Sequence, residues 1–242
     1  MEINKIIEKI ETLYPLDTQE KWDNSGWQIK LPEKHTQNVL LALSPTSNII
    51  EQAKKFNCNL IITHHPLFLN GIRQLNTNNY EENVAIQLIQ NNIQLYSTHT
   101  PLDKGKNGTN DTLCQILDIK PIKTIENLAK IGEIEEISIE NLIEKVKNLL
   151  KIEKIKITNP KNIITVKTVG ICAGSGCDYL DKMTESDVFL TGDLKYHPAI
   201  SSPVCILDIG HFESERIILP VLKQLIGENA IIAQENTPWQ FA

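Results

Sequence analysis

Two adjacent histidines, His64 and His65, follow directly on the apolar run 59–63. Imidazole nitrogens ligate divalent transition metals, and the carboxyl ends of buried strands are where open α/β sheets gather functional groups. Two neighbouring ligands suggest two ions. The pattern recurs: the run 93–96 empties into Ser97, Thr98, His99, Thr100, Pro101, Leu102 and Asp103, and the run 205–210 into His211, Phe212, Glu213, Ser214 and Glu215. A fourth run, 188–190, feeds Thr191, Gly192 and Asp193, with His197 close behind. Five of the six histidines lie in these clusters, and His35 does not. If the four runs are neighbouring parallel strands, their ends converge on one crevice.

The candidate metal ligands are His64, His65, Asp103, His211 and Glu215. Three imidazoles and two carboxylates suffice for two ions if one carboxylate bridges and water completes the shells. His211 and Glu215 are spaced i,i+4 and share a face if a helix begins near Gly210, with Glu213 pointing elsewhere. Pro220 should end or kink that helix. Each residue has a plainer role available, Asp103 as a turn cap and Glu215 as a surface charge beside Arg216, so it is their convergence that favours a metal centre. His99 is the candidate catalytic residue, an acid/base or substrate-contacting group beside the ions, the alternative being a loop histidine bonded to backbone. Asp193 either lines the site from another wall with His197 or caps a helix that starts there. The loop 173–176 either cradles an anion with its amides or simply makes a turn, and the stretch 23–27 reads as a structural turn. Imidazole and carboxylate without thiolate admit Zn²⁺, Mn²⁺, Fe²⁺, Co²⁺ or Ni²⁺ and do not choose among them.

Strand and helix candidates must position these residues. The run 39–43 precedes a helix at 47–56 and the strand ending at Thr63; a helix at 80–90 precedes the strand ending near Ser97, and 110–117 reads as the next helix. Such alternation means an α/β fold. The Ile-, Lys- and Glu-rich stretch after Lys120 carries a helix face at Ile139, Leu142, Ile143, Val146, Leu149 and Leu150 and reads as a connector, 126–159, between lobes 1–125 and 160–242. The second half resumes at 166–173 and ends in a strand at 229–233. With 242 residues the chain can form one large or two modest domains. A net charge of −6 gives no electrostatic footprint for nucleic acid. No apolar run approaches the roughly 18 to 20 residues needed to cross a membrane. Ile3, Ile6, Ile7, Ile10, Leu13 and Tyr14 form an amphipathic helix, not a signal peptide. Five cysteines without C-x-x-C spacing point to reduced thiols in a cytoplasmic protein.

Taken together, the stretches 23–26, 62–67, 99–103, 108–111, 173–176, 191–193 with His197, and 210–215 closely resemble the Nif-three-like family, also called the GTP cyclohydrolase 1 type 2 homolog family. The resemblance implies two similar α/β lobes with a dinuclear metal site in the cleft between them, the same five ligands, Glu215 as the bridge, and a ring-shaped homohexamer. The segment between Cys114 and Val166 is too short for the extra domain some members carry there. The functional expectation is a hydrolase dependent on two divalent metal ions, acting on a small substrate of nucleotide or purine-like class. The alternative is a non-catalytic metal-binding protein with a regulatory or assembly role.

Overall fold

Residues 1–240 are described in a computed structural model. They form two compact units, one made of Met1–Gly105 and the segment from Leu219 onward, the other of Lys106–Ile218. The first unit opens with α1 (Ile3–Leu13), whose Ile3, Ile6, Ile7 and Ile10 make a buried stripe at helical spacing. There follow β1 (Gly26–Ile29), β2 (Asn38–Ala42), α2 (Ser47–Lys55), β3 (Cys58–Thr63), α3 (Tyr80–Gln90), β4 (Gln94–Ser97) and α4 (Thr100–Lys104). The second unit contains α5 (Thr109–Ile116), β5 (Lys120–Ile125), β6 (Ala129–Ser138), α6 (Ile139–Leu150), β7 (Lys156–Thr158), β8 (Thr165–Ile171), β9 (Val188–Thr191), α7 (Tyr196–Ser201), β10 (Cys205–Asp208) and α8 (His211–Glu215). The chain then returns to the first unit through α9 (Leu219–Ile226) and β11 (Ala230–Ile232).

The first sheet runs β1-β4-β3-β2-β11, parallel except for β1. Strands β2, β3 and β4 are almost wholly buried, which is why they read as near-continuous apolar runs without alternation. Helices α2 and α3 start where Thr46 and Asn79 accept hydrogen bonds from the amides of Ile49 and Glu82. In register, Ala42 lies level with Thr63, and Thr63 with Ser97. The residues that follow β3 and β4 therefore leave the sheet side by side.

The second sheet runs β5-β6-β8-β9-β10-β7, with β8, β9 and β10 parallel. Alternate residues serve opposite faces: Val188, Leu190, Cys205 and Leu207 pack with the buried stripe of α6, while Phe189 and Ile206 pack with Ile131, Leu180 and Met183. Leu190 pairs with both Ile171 and Leu207, so these three strands also end level.

Three expectations are revised. The segment 126–159, expected as a connector, supplies β6, α6 and β7 to the second unit; Ile139, Leu142, Val146 and Leu150 of α6 are buried, and its charges occupy the other face. The strand expected to end the second half instead pairs in parallel with β2 in the first sheet, Ala230 opposite Val39 and Ile232 opposite Leu41. Pro220 opens α9 rather than ending α8, because in a first helical turn its missing N–H has no partner to lose. No disulfide joins any of the cysteines. Cys58, Cys114, Cys172 and Cys205 fill the core, and burial pushes the Cys58 and Cys205 thiols up to about 11 and the Cys114 thiol up to about 12. Among the described residues no helix is long and apolar enough to cross a membrane.

Candidate metal centre

In the first unit the chain turns sharply after β3. The amides of His64 and His65 donate to the carbonyls of Ala42 and Leu43 at 3.2 and 2.8 Å, fixing the double histidine to the end of β2. The His64 side chain is fully buried. Its Nδ1 lies 3.1 Å from the Thr98 carbonyl, the His65 Nδ1 lies 2.8 Å from Ser44 Oγ, and the His99 Nδ1 lies 2.9 Å from Asp23 Oδ1. The three ring centroids are 4.9, 5.1 and 5.5 Å apart, and one ligand atom from each ring lies within 4.8 Å of the others. Asp103 is buried in α4 with Oδ1 3.5 Å from His64 Nε2, so it faces the imidazole. Carbonyl and carboxylate oxygens only accept. The Nδ1 of His64 and of His99 is therefore the donor in these two contacts.

In the second unit the loops after β8, β9 and β10 meet. Gly210, at φ +81°, turns the chain so that α8 begins at His211, and the i,i+4 spacing brings His211 Nε2 to 3.1 Å from Glu215 Oε2. On the other side of the ring, Asp193 Oδ2 lies 2.6 Å from His211 Nδ1. Asp193 takes a left-handed φ of 54°, a conformation Asp tolerates better than most residues. It is therefore no helix cap: Lys195 precedes α7, and the Asp193 carboxylate is spent on His211. Burial alone would pull the His211 imidazole down, but the hydrogen bonds and charges of Glu215 and then Asp193 outweigh it and raise the group to about 9. An imidazole between two carboxylates sits where positive charge is stabilised.

The glycine loop 173–176 is committed internally. Its amides donate from Ala173 to Asn110 Oδ1 at 2.9 Å, from Gly174 to Ser214 Oγ at 3.0 Å and from Gly176 to Thr191 Oγ1 at 2.8 Å, which removes the anion-cradle alternative for those groups. Instead, Gly174 lets backbone reach the buried Glu215: a Cβ there would overlap Glu215 Oε1. His197 is exposed on α7, its ring against Tyr196, and joins no group of ligand type among the described residues.

A histidine that ligates a metal normally passes its other ring N–H to a carboxylate, carbonyl or similar acceptor, which fixes tautomer and ring orientation. Here His64, His65, His99 and His211 are each tethered through Nδ1, to four different partners. In the first unit these imidazoles stand with the carboxylate of Asp103 and in the second with that of Glu215; each is a nitrogen and oxygen donor set without thiolate, of a kind that fits divalent transition metals. Reading the sequence found the ring-bearing residues and offered Asp193 as a wall of the site or a helix cap, but it missed the tethers Asp23 and Ser44. Asp23 and Asp193 fall within the stretches that carry the family resemblance, which was the signal available.

The chain matches the model of the Duf34/NIF3 family (NGG1p interacting factor 3) over residues 1–238. It is 33% identical to a Campylobacter jejuni protein named GTP cyclohydrolase 1 type 2 homolog, across 100% of both chains. A Clostridium perfringens protein of the same name is also 33% identical, covering 94% of this chain and 92% of its own. The fold is likewise that of a Staphylococcus aureus hypothetical protein of known crystal structure, with a TM-score of 0.89 at 24% identity over 100% of this chain and 99% of the other. Matched along its length in sequence and fold, the chain belongs to the DUF34/NIF3 family.

Proposed function

We propose that this chain is a hydrolase dependent on two divalent metal ions, held by His64, His65, Asp103, His211 and Glu215 with Glu215 as the bridge, and acting on a small substrate of nucleotide or purine-like class. The observation that carries the reading is the tethering through Nδ1 of the three ligand imidazoles, and of His99, an arrangement that orients the rings and costs ordering entropy that surface histidines need not bear. The name GTP cyclohydrolase 1 type 2 homolog, which those relatives carry, supports the substrate class. Lewis acidity and an activated water at neutral pH are the chemistry such ions supply when bound. The remaining work falls to the protein. The His99 ring lies beside His64 and His65 with Nδ1 held by Asp23, and its other nitrogen serves as the group that accepts a proton from the attacking water and returns it to the leaving atom. The same reading takes residues 1–242 as one module of a cytoplasmic homohexameric ring with neither nucleic acid nor membrane as partner.

The test is an assay of protein loaded with Mn²⁺, Zn²⁺ or Fe²⁺ against nucleoside triphosphates, phosphoesters and cyclic amides, with Glu215→Gln in parallel. Turnover of at least one class, reduced roughly 100-fold or more in the variant, is expected. Turnover of none, or equal turnover by both proteins, favours instead a metal-binding protein of regulatory or assembly function.

A further inference from the structure

The turn 23–26 supplies no ligand, yet it holds the most heavily bonded carboxylate near the centre. The Asp23 side chain is fully buried. Its Oδ1 accepts from His99 Nδ1 at 2.9 Å and from the Asn24 amide at 2.7 Å; its Oδ2 accepts from the Thr100 amide at 3.1 Å, from the Thr100 hydroxyl, and from Ser25 Oγ at 2.9 Å. Ser25 Oγ in turn accepts from the His99 amide at 3.0 Å. Burial works against ionisation of Asp23, but the hydrogen bonds it accepts from His99 and Thr100 hold it well below the usual carboxylate range. Backbone and ring of His99 are thus clamped by one turn, and exposed Trp22 packs edge-on against the same ring with centroids 5.6 Å apart.

We propose that Asp23 is the positioning residue of the centre: it fixes His99 as the Nδ1–H tautomer and aims Nε2 at the His64 and His65 rings. The proposal deepens the functional reading, on which the value of an aimed Nε2 rests, but it makes a claim about His99 that can be read without substrate or metal. The substitution Asp23→Asn would reverse the polarity of the contact. Each oxygen receives one backbone N–H, Oδ1 from Asn24 and Oδ2 from Thr100, but Oδ2 receives two hydroxyl donors as well, so the NH₂ of the substituted amide meets fewer donors in the place of Oδ1, opposite His99 Nδ1. A donor facing Nδ1 forces its hydrogen to Nε2.

The experiment is two-bond ¹H–¹⁵N NMR of the histidine rings in metal-free protein at about pH 8, above the ordinary histidine range, with His99 assigned by its absence from His99→Gln. Wild type should show Nδ1–H with Nε2 unprotonated, and Asp23→Asn should show the reverse. Thermal melts separate this from a merely structural role, since Asp23 also receives the first amide of α4. A lowered melting temperature with the His99 tautomer unchanged overturns the proposal. So does a hydrogen on Nε2 in wild type, alone or with Nδ1–H, a measurement that decides the matter even if Asp23→Asn does not fold. Because neither readout involves turnover, a protein without hydrolase activity but with the expected tautomers would defeat the functional reading and leave this one standing.

Discussion

Glu215→Ala protein should retain neither metal ion, whereas Asp103→Ala should lose chiefly one. Two unit charges about 4 Å apart repel by about 4 kcal/mol at an effective dielectric of about 20, and two divalent ions by roughly four times as much. A carboxylate shared by both offsets that repulsion for both; one that serves a single ion does not. Glu215 suits the shared role in being buried, beside His211, and pressed by the Gly174 backbone. Asp103 faces His64 Nε2 from the end of α4 and suits service to a single ion. Metal titration with dissociation constants for each step checks the contrast. Loss of only one ion from Glu215→Ala refutes the bridge, and light scattering on the same samples should find the assembly unchanged.

The second large effect is expected at Gly192, which carries no functional group. A Cβ there would lie 2.5 Å from the His211 amide nitrogen, 2.7 Å from the Gly210 carbonyl carbon and 2.8 Å from the Gly174 carbonyl oxygen. All three neighbours are backbone, from the loops after β10 and β8, so no side-chain rotation relieves the overlap. Gly192→Ala should therefore destabilise the protein by about 1–3 kcal/mol and displace His211. Gly71→Ala, where a Cβ meets nothing within 4 Å, should stay within about 0.5 kcal/mol of wild type. Urea denaturation of the pair measures both, and equal midpoints would show that the three loops are not packed as described.

How much of this was legible in the sequence follows from the range of the interactions involved. The double histidine after β3, the His99 to Asp103 spacing and the His211 to Glu215 pair are local patterns: a buried strand running into a loop, or an i,i+4 helical step. Strand ends could be read because parallel strands buried on both faces leave uninterrupted apolar runs. What ties the rings down is not local. Asp23 reaches His99 across 76 positions, Ser44 reaches His65 across 21, and Asp193 reaches His211 across 18. A turn motif was the local reading of Asp23, which makes that turn and reaches His99 as well; for Asp193 a helix cap and a place lining the site were both open, and the contact with His211 decides between them. The return of β11 to the first sheet was hidden for the same reason, since parallel pairing of Ala230 with Val39 leaves no mark in either segment. Charge misled at 126–159: the exposed face of α6 outweighed the buried stripe that makes it part of a core.

The most direct test of the central claim is elemental analysis of wild-type protein purified without chelator and then remetallated under reducing conditions. Close to two divalent ions per chain is the expected result. A content near zero after remetallation would contradict the account, because the three imidazoles and two buried carboxylates assigned as ligands would then have some purpose other than holding metal.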